Sequence, residues 1–292
     1  MPSTATSAFR VPTIAGMRAS VAKARNDGMT IGFVPTMGAL HRGHLSLVER
    51  ARSETDFVVM SVFVNPLQFG PTEDFSRYPR PIEADARAAA GAGVDVLFTP
   101  SPEEMYRDGR ITTVTAGESA KRWEGEIRPG HFDGVLTVVA KLFNIVQADV
   151  AVFGRKDLQQ ARLIQAMVRD LDFPLAIVVA PTVREDDGLA LSSRNAYLNP
   201  DERAGALVLV RALRVASAAF DSGERDARRL EDLGREVLET VPAAHVQYFA
   251  VVSGDSLKPA TRAEPGSAVI VAARLGATRL IDNVILGQND QN

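Results

Sequence analysis

Two histidines and two glycines stand close together in residues 35–44, which read PTMGALHRGH. This segment follows a short apolar run and precedes a stretch of helical composition. Glycine lets the backbone approach a ligand closely, and the N-terminus of a helix offers unpaired N–H groups to an anion. Two imidazoles at such a point can donate hydrogen bonds to phosphate oxygens. The spacing therefore favours binding of a ligand that carries phosphate.

Three interpretations of His41 and His44 are open at this point: they cap a turn, they bind zinc, or they contact a nucleotide. The zinc interpretation lacks the Glu that zincins carry between their histidines, and its third ligand would have to be His131, His245 or a carboxylate. The nucleotide interpretation is not supported by either of the two common phosphate-binding loops, since neither GxxxxGK[ST] nor a GxGxxG after a strand is present.

Two later clusters carry groups that suit a nucleotide. Lys156 and Asp157 follow an apolar run; the ammonium can neutralise phosphate and the carboxylate can accept hydrogen bonds from ribose hydroxyls. Residues 189–195 bring together Ser192, Ser193 and Arg194, which supply two hydroxyls and a planar guanidinium for polyphosphate oxygens. Taken alone, the first cluster is also typical of a solvated turn and the second of a capped loop between domains.

The elements that must position these groups alternate along the first 180 residues. Strands are predicted at residues 30–34, 57–64, 94–98, 150–153 and 175–179, and helices at 14–26 (capped by Thr13), 45–53, 81–92, 134–146 and 158–171. The apolar runs do not alternate with polar residues, which indicates parallel strands covered on both faces. Right-handed crossovers then give an α/β fold with a doubly wound parallel sheet, whose ligands bind at the carboxyl ends of the strands.

The remainder of the chain changes character. Helices are predicted at residues 200–220, opened by Asn199 and Pro200, and at 225–240; strands are predicted at 246–252, 268–273 and 278–286. Two helices followed by three strands indicate a second, smaller α+β domain. We therefore predict domains at residues 1–182 and 183–292.

Composition excludes several classes of protein. The 292 residues carry 33 Lys and Arg against 36 Asp and Glu, a net charge of −3, which gives no support to nucleic-acid binding. The absence of cysteine excludes disulfides, thiol nucleophiles and cysteine-ligated metals. No apolar run reaches the roughly 18 residues of a membrane span, and residues 1–10 lack a signal-peptide profile. We expect a soluble, cytoplasmic protein.

Six motifs taken together resemble the pantothenate synthetase (pantoate–β-alanine ligase) family of the His-x-Gly-His nucleotidyltransferase superfamily. They are residues 35–44, 64–69 (VNPLQF), 78–80 (YPR), 128–132 (RPGHF), 154–160 (GRKDLQQ) and 191–195 (LSSRN). They occur in the order of the family and span nearly the whole chain. The resemblance implies a Rossmann-like N-terminal domain, a smaller C-terminal lid domain and a homodimer.

The resemblance also implies a two-step reaction. ATP and (R)-pantoate give pantoyl adenylate and pyrophosphate, and β-alanine then displaces AMP to form pantothenate. His44, His41, Lys156 and Arg194 match the catalytic groups of the family, and Gln68 and Gln160 match the glutamines that bind pantoate. The residues implied to bind ATP are Met37, Gly38, Ala39, Leu40, His41, Arg42, Gly43, His44, Gly154, Arg155, Lys156, Asp157, Val183, Leu191, Ser192, Ser193 and Arg194.

The resemblance implies Mg²⁺ as the companion of ATP, and no residue of this chain is assigned as a metal ligand. Arg155 stands where the family commonly has Glu or Gln, and Leu191 stands where Met is usual. Arg128 is open to two roles, substrate binding or stabilisation of the loop before His131. Two other functions stay open: a nucleotidyltransferase that releases a stable nucleotidyl product, and a non-catalytic nucleotide-binding protein.

Overall fold

The computed structural model describes residues 9–71, 73 and 75–288. The chain divides into two compact units. The first holds the described residues of Met1–Gly154 together with Leu163–Ala180, and the second holds Arg155–Arg162 with the described residues of Pro181–Asn292. Residues 155–162, which the sequence analysis places in the first domain, thus group with the second unit.

The first unit contains a parallel sheet of six strands within the described residues. The strands are β1 (Phe9–Val11), β2 (Ile31–Thr36), β3 (Phe57–Val62), β4 (Val96–Phe98), β5 (Val150–Gly154) and β6 (Ala176–Ala180). Their order is β1-β4-β3-β2-β5-β6, and every neighbouring pair is parallel. The predicted doubly wound sheet is confirmed. The edge strand β1 was not predicted, because its three residues include Arg10 and form no apolar run.

Helices cover both faces of this sheet. They are α1 (Ile14–Asn26), α2 (Arg42–Glu54), α3 (Ile82–Gly91), α4 (Pro102–Met105), α5 (Glu124–Ile127), α6 (His131–Val146) and α7 (Leu158–Asp170), whose first residues group with the second unit. Successive residues of β2 face opposite sides: Phe33 packs in one buried apolar cluster with α6, and Val34 in another with α2. Because helices pack on both faces of the sheet, the residues on both faces of its strands are apolar.

Two helices begin three residues earlier than predicted. Helix α2 starts at Arg42 because His41 serves as its N-cap, a role that sequence preferences assign to Ser, Thr, Asp and Asn. Helix α6 starts at His131, directly after Gly130 in the left-handed conformation, φ +79°. Helix α1 is capped by Thr13 as predicted.

The second unit combines helices with an antiparallel sheet. Helix α8 (Pro200–Asp221) opens with the predicted Asn199 cap, and α9 (Ala227–Leu238) follows it. Strands β7 (Ala244–Val252), β8 (Ala268–Leu275) and β9 (Thr278–Ile285) pair in that order. Leu209, Leu213, Leu230 and Phe249 are almost fully buried in one apolar cluster between these elements. The predicted α+β character of this part is confirmed.

The strand order of the first unit reverses between β2 and β5. From β2 the chain winds outward through β3 and β4, and it returns to add β5 and β6 on the other side. Ligands of open α/β sheets bind outside the carboxyl ends of the strands at such a switch point. The carboxyl end of β2 is Thr36, the residue before the glycine- and histidine-containing segment. Among the helices of the described residues, none is long and apolar enough to cross a membrane.

Candidate active site

The turn after β2 requires glycine at position 38. Gly38 has φ +87°, and a Cβ there would lie 2.8 Å from Oδ2 of Asp85 and 2.8 Å from a methyl group of Val62. Gly38 N–H donates to Oγ1 of Thr36 at 3.2 Å, and Ala39 follows with φ +51°. The backbone therefore turns sharply at the end of the strand.

A buried carboxylate of α3 holds this turn in place. Asp85 is 2% exposed, and its two oxygens accept the N–H groups of Ala39 at 3.0 Å and Leu40 at 2.8 Å. One side chain thus satisfies two consecutive loop amides, which fixes their direction. No role is predictable for Asp85 from the sequence, because its partners lie more than 40 positions earlier in the chain and no local pattern connects them.

The two histidines cap α2 reciprocally. Gly43 N–H donates to Nδ1 of His41 at 3.1 Å, and His41 N–H donates to Nδ1 of His44 at 3.3 Å. A backbone N–H can only donate, so both Nδ1 atoms are acceptors and each neutral ring carries its proton on Nε2. The rings lie 4.0 Å apart between centroids. The capping interpretation is therefore compatible with phosphate binding, since the cap orients two Nε2–H donors.

The zinc interpretation gains no third ligand. No group of three or more His, Cys, Asp or Glu residues that could hold a metal ion occurs within residues 9–71, 73 and 75–288. The Nδ1 atoms of both histidines are already engaged by backbone N–H groups.

Gln68 lies at the end of a short 3₁₀ turn, Pro66–Gln68, that Asn65 organises. Asn65 is 1% exposed; its Oδ1 accepts from Leu67 N–H at 3.2 Å and from the Tyr106 hydroxyl at 2.7 Å. Its Nδ2 donates to Oε1 of Gln68 at 3.1 Å and to the Gly134 carbonyl at 3.1 Å. Burial raises the pKa of Tyr106, which keeps the hydroxyl protonated as a donor. The Gln68 carboxamide is thus aimed by a buried asparagine.

The same turn brings two predicted site residues together. Nε2 of Gln68 donates to the sulfur of Met37 at 3.0 Å. Helix α6 packs against the turn at Gly134, where a Cβ would lie only 2.1 Å from the carbonyl oxygen of Leu67. Only glycine allows this approach, so Gly134 sets the distance between α6 and the turn that carries Gln68.

A Glu73–Arg128–His131 network fixes the backbone of Gln68. Arg128 binds both oxygens of Glu73, at 2.7 and 2.6 Å, and donates to Nε2 of His131 at 3.0 Å and to the Gln68 carbonyl at 3.3 Å. Because a guanidinium only donates, Nε2 of His131 accepts, and Nδ1 carries the proton that it donates to the Gln68 carbonyl at 2.8 Å. Arg128 therefore stabilises the backbone at Gln68, and its predicted role in substrate binding stays a prediction.

The pKa values of this network agree with its hydrogen bonds. Burial lowers the pKa of His131 to about 4, and the positive charge of Arg128 contributes to the lowering, so the imidazole is neutral. Burial acts to raise the pKa of Glu73, but the hydrogen bonds and charge of Arg128 outweigh it and hold that pKa below its usual range. The network is a neutral histidine beside an ion pair.

In the second unit, the predicted cationic residue Lys156 lies in a 3₁₀ turn, Arg155–Asp157. Its Nζ lies 3.8 Å from a carboxylate oxygen of Asp157, and its side chain is 21% exposed. Gln160 follows in the first turn of α7 and is half-buried. Lys156, Asp157 and Gln160 therefore follow one another within two consecutive turns of the chain, and their assignment to ATP and pantoate stays a prediction.

Residues 183–191 form a hairpin, and a short 3₁₀ helix, Ser193–Tyr197, follows it. Leu191 N–H donates to the Val183 carbonyl at 3.0 Å, and Oγ of Ser192 caps the 3₁₀ helix by accepting Arg194 N–H at 3.3 Å. Val183 and Leu191 to Arg194 are therefore brought together within the second unit. The Val183 carbonyl keeps a second lone pair, so this bond is compatible with the contact to ATP that the resemblance implies for Val183.

Two side chains that the sequence analysis missed brace this segment. Glu185 accepts from Nδ2 of Asn195 at 2.8 Å and from the guanidinium of Arg203 at 2.8 Å. Arg203 also pairs with Asp187 at 2.7 Å. The only sequence signal was the proximity of acidic residues 185–187 to the Ser-Ser-Arg-Asn motif, which did not specify these partners.

Comparison with known proteins identifies a family. The family model for pantoate-beta-alanine ligase matches residues 10–285. The pantothenate synthetase of Pelotomaculum thermopropionicum is 51% identical over 276 residues, covering 94% of this chain and 98% of the relative. The pantothenate synthetase of Moorella thermoacetica is 52% identical over 278 residues, covering 95% of this chain and 98% of the relative.

Solved structures agree with these relatives. The pantothenate synthetase of Thermus thermophilus superposes with a TM-score of 0.91 at 50% identity, covering 95% of this chain and 99% of that one. The pantoate-beta-alanine ligase of Francisella tularensis, solved with beta-gamma ATP and β-alanine, gives a TM-score of 0.80 at 34% identity, covering 97% and 99%. The chain belongs to the pantoate–β-alanine ligase family.

Proposed function

We propose that this chain condenses (R)-pantoate with β-alanine in an ATP-dependent reaction that forms pantothenate through a pantoyl-adenylate intermediate. AMP and pyrophosphate are the other products. Family membership over residues 10–285 supports the reaction, as does the Francisella tularensis relative solved with beta-gamma ATP and β-alanine. The observation in the structure that carries the proposal is the pair of histidines that cap α2 and carry their ring protons on Nε2.

In the first step, a carboxylate oxygen of pantoate attacks the α-phosphorus of ATP, and the bond to pyrophosphate breaks. Negative charge grows on the α-phosphate oxygens and on the leaving group, so the protein must supply preorganised donors. We assign to these oxygens the side chains of His44, His41, Lys156, Ser192, Ser193 and Arg194. The remaining ATP contacts are assigned to Met37 to Gly43, to Gly154, Arg155 and Asp157, and to Val183 and Leu191.

Pantoate is assigned to the two carboxamides Gln68 and Gln160. Its hydroxyls need both donors and acceptors, and a carboxamide supplies both. The Gln68 side chain already lies in a directed position, since Asn65 donates to its Oε1 and its Nε2 reaches the sulfur of Met37. Because Met37 begins the loop assigned to ATP, this contact links the two assigned functions within the first unit.

In the second step, the amine of β-alanine attacks the acyl carbon of the adenylate, and AMP leaves. The chain contains no cysteine to take up the acyl group. The activated carboxyl therefore stays on AMP as a mixed anhydride until the amine arrives.

Mg²⁺ is proposed to accompany ATP. Magnesium at nucleotide sites is bound mainly by substrate phosphates and water, so the donor set described above suits it without a protein cage. When bound, it neutralises charge on the phosphates. The homodimer and the cytoplasmic location that the resemblance implies stay predictions.

Isotope exchange tests the reaction. Enzyme, Mg²⁺, ATP and pantoate without β-alanine should exchange labelled pyrophosphate into ATP, and one equivalent of pantoyl adenylate should accumulate per site. Adding β-alanine should release AMP and pantothenate. Exchange that requires β-alanine would refute the adenylate intermediate. Exchange that does not depend on pantoate would mean a different carboxylate substrate. Release of a stable nucleotidyl product, with no AMP formed when β-alanine is added, would favour a nucleotidyltransferase that performs no ligation.

Substitution of His44 tests the assignment of the donors. His44→Ala should lower exchange by roughly two to three orders of magnitude, the usual loss for one preorganised donor. It also removes a cap worth about 1 kcal/mol, so His44→Asn, whose short carboxamide can still cap but lacks a donor at the Nε2 position, separates the two roles. The exposed His245 on β7 provides the matched control, His245→Ala. More than half of wild-type exchange in both His44 variants would contradict the assignment.

A further inference from the structure

One buried asparagine on β9 contacts the turn that carries Lys156. Asn283 is 2% exposed, and its Nδ2 donates to the carbonyl oxygens of Arg155 and Lys156, each at 3.0 Å. A carboxamide nitrogen has two hydrogens, and both are used on consecutive carbonyls of the Arg155–Asp157 turn. These two acceptors also settle the orientation of the amide, because the reversed orientation would place its oxygen against both carbonyls.

A buried ion pair braces the same asparagine. The neighbouring Asp282 is 4% exposed and binds both terminal nitrogens of Arg184, at 2.6 and 3.0 Å. The backbone N–H of Asn283 donates to Oδ1 of Asp282 at 2.8 Å. Arg184 also donates to the Gly188 carbonyl at 3.1 Å, so the pair reaches into the hairpin of residues 183–191. Strand β9 thus fixes both segments of the second unit that are assigned to ATP.

We propose that Asn283 is a positioning residue for adenylation, acting through Lys156. It fixes the backbone from which the lysine side chain extends, and with it the location of the ammonium relative to the phosphates. This inference rests on the proposed function, in which Lys156 neutralises the triphosphate. Displacement of a catalytic group by about 1 Å can cost on the order of 100-fold in rate, so a backbone anchor of this kind has a measurable effect.

Asparagine suits this positioning role because its side-chain amide supplies two N–H donors, one for each carbonyl. Asn283→Asp keeps the shape of the side chain but replaces the donors with a charged oxygen facing two carbonyls. Asn283→Ala removes the donors without adding charge, and it serves if the aspartate variant does not fold. Asn199→Asp is the matched control in the same unit, because Asn199 caps α8 as an acceptor and a carboxylate caps a helix equally well.

The test measures pyrophosphate exchange at a temperature where each variant is folded. We expect both Asn283 variants to lower the exchange rate by about 10- to 100-fold, with the KM of pantoate changed less than twofold and Asn199→Asp unaffected. An Asn283→Ala enzyme that melts cooperatively and keeps more than half of wild-type exchange overturns the inference.

A double-mutant cycle with Lys156→Ala separates positioning from a general structural effect. If Asn283 acts through Lys156, Asn283→Ala should change the residual exchange less than about twofold once the lysine is absent. A full effect in that background overturns the inference and leaves the proposed function intact. If Lys156→Ala alone keeps wild-type exchange, the assignment of the lysine in the proposed function is the part that fails.

Discussion

His131 should make the first unit lose stability as the solution is acidified. In the folded chain its pKa is lowered to about 4 from an ordinary value of 6.5, by burial and by the charge of Arg128. Between these values the unfolded chain binds a proton that the folded chain does not, so the free energy of unfolding falls as the pH falls. The contribution is complete above pH 6.5 and is lost progressively down to pH 4.

The magnitude follows from the interval between the two pKa values. One unit corresponds to about 1.4 kcal/mol, so the full interval corresponds to about 3 kcal/mol, of which about 2 kcal/mol is already lost at pH 5. Glu73 acts in the same direction, but its pKa does not exceed 4.5 in either state, so its part of the loss comes at lower pH. The range from pH 7.5 to pH 5 therefore separates the effect of His131 from that of Glu73, and comparison with a His131 variant separates it from the other histidines.

Urea unfolding followed by the fluorescence of Trp123 measures this effect. Trp123 is the single tryptophan of the chain and belongs to the first unit. His131→Gln offers Arg128 an acceptor but does not titrate; we expect it to be less stable at pH 7.5 and to lose about 2 kcal/mol less than wild type on going to pH 5. His245→Gln should follow wild type. Parallel pH profiles of wild type and His131→Gln would refute the argument from burial.

Three further predictions concern the loops of the first unit and the assigned pantoate ligands. Asp85→Asn leaves one loop amide facing an amide nitrogen, at a cost of roughly 1–3 kcal/mol, so steady-state kinetics should show a KM for ATP raised about tenfold or more; an unchanged KM would contradict this. Gln68→Ala and Gln160→Ala should each raise the KM of pantoate far more than that of ATP, because each removes roughly 1–3 kcal/mol of pantoate binding free energy. A larger rise in the KM of ATP would mean that these glutamines do not bind pantoate. Gly134→Ala forces α6 away from the Pro66–Gln68 turn and should lower the free energy of unfolding, measured with urea, by about 1–3 kcal/mol. A variant as stable as the wild type would show that α6 can move away from the turn at no cost in stability.

Local patterns predicted the strands and helices well because each is encoded by consecutive residues. The loop after β2 was identified because strand, glycine, histidine and helix follow one another in the sequence. The start of α2 was placed too late, since histidine is not a usual N-cap and its two reciprocal hydrogen bonds are visible only in three dimensions.

The side chains that hold the site were missed for a different reason. Asp85 binds the amides of residues 39 and 40, and Asn283 binds the carbonyls of residues 155 and 156. In both cases the side chain is far in sequence from the backbone groups that it binds. In the sequence alone, a single Asp or Asn is equally typical of an exposed surface residue. Periodicity carries no information on such contacts. Family motifs pointed to Gln68, but they did not indicate that Asn65, Tyr106 and α6 hold it.

The contact between Met37 and Gln68 has a consequence for oxidative damage. The chain has no cysteine that would be oxidised first. The sulfur of Met37, in the loop after β2, lies 3.0 Å from Nε2 of Gln68. Conversion to the sulfoxide adds a strong acceptor oxygen directly beside the Gln68 amide and makes an apolar side chain polar. Peroxide should therefore weaken pantoate binding before it affects the fold, and methionine sulfoxide reductase should restore it. Met37→Leu, which cannot form the sulfoxide, should resist the treatment; equal sensitivity of both enzymes would place the damage at another methionine.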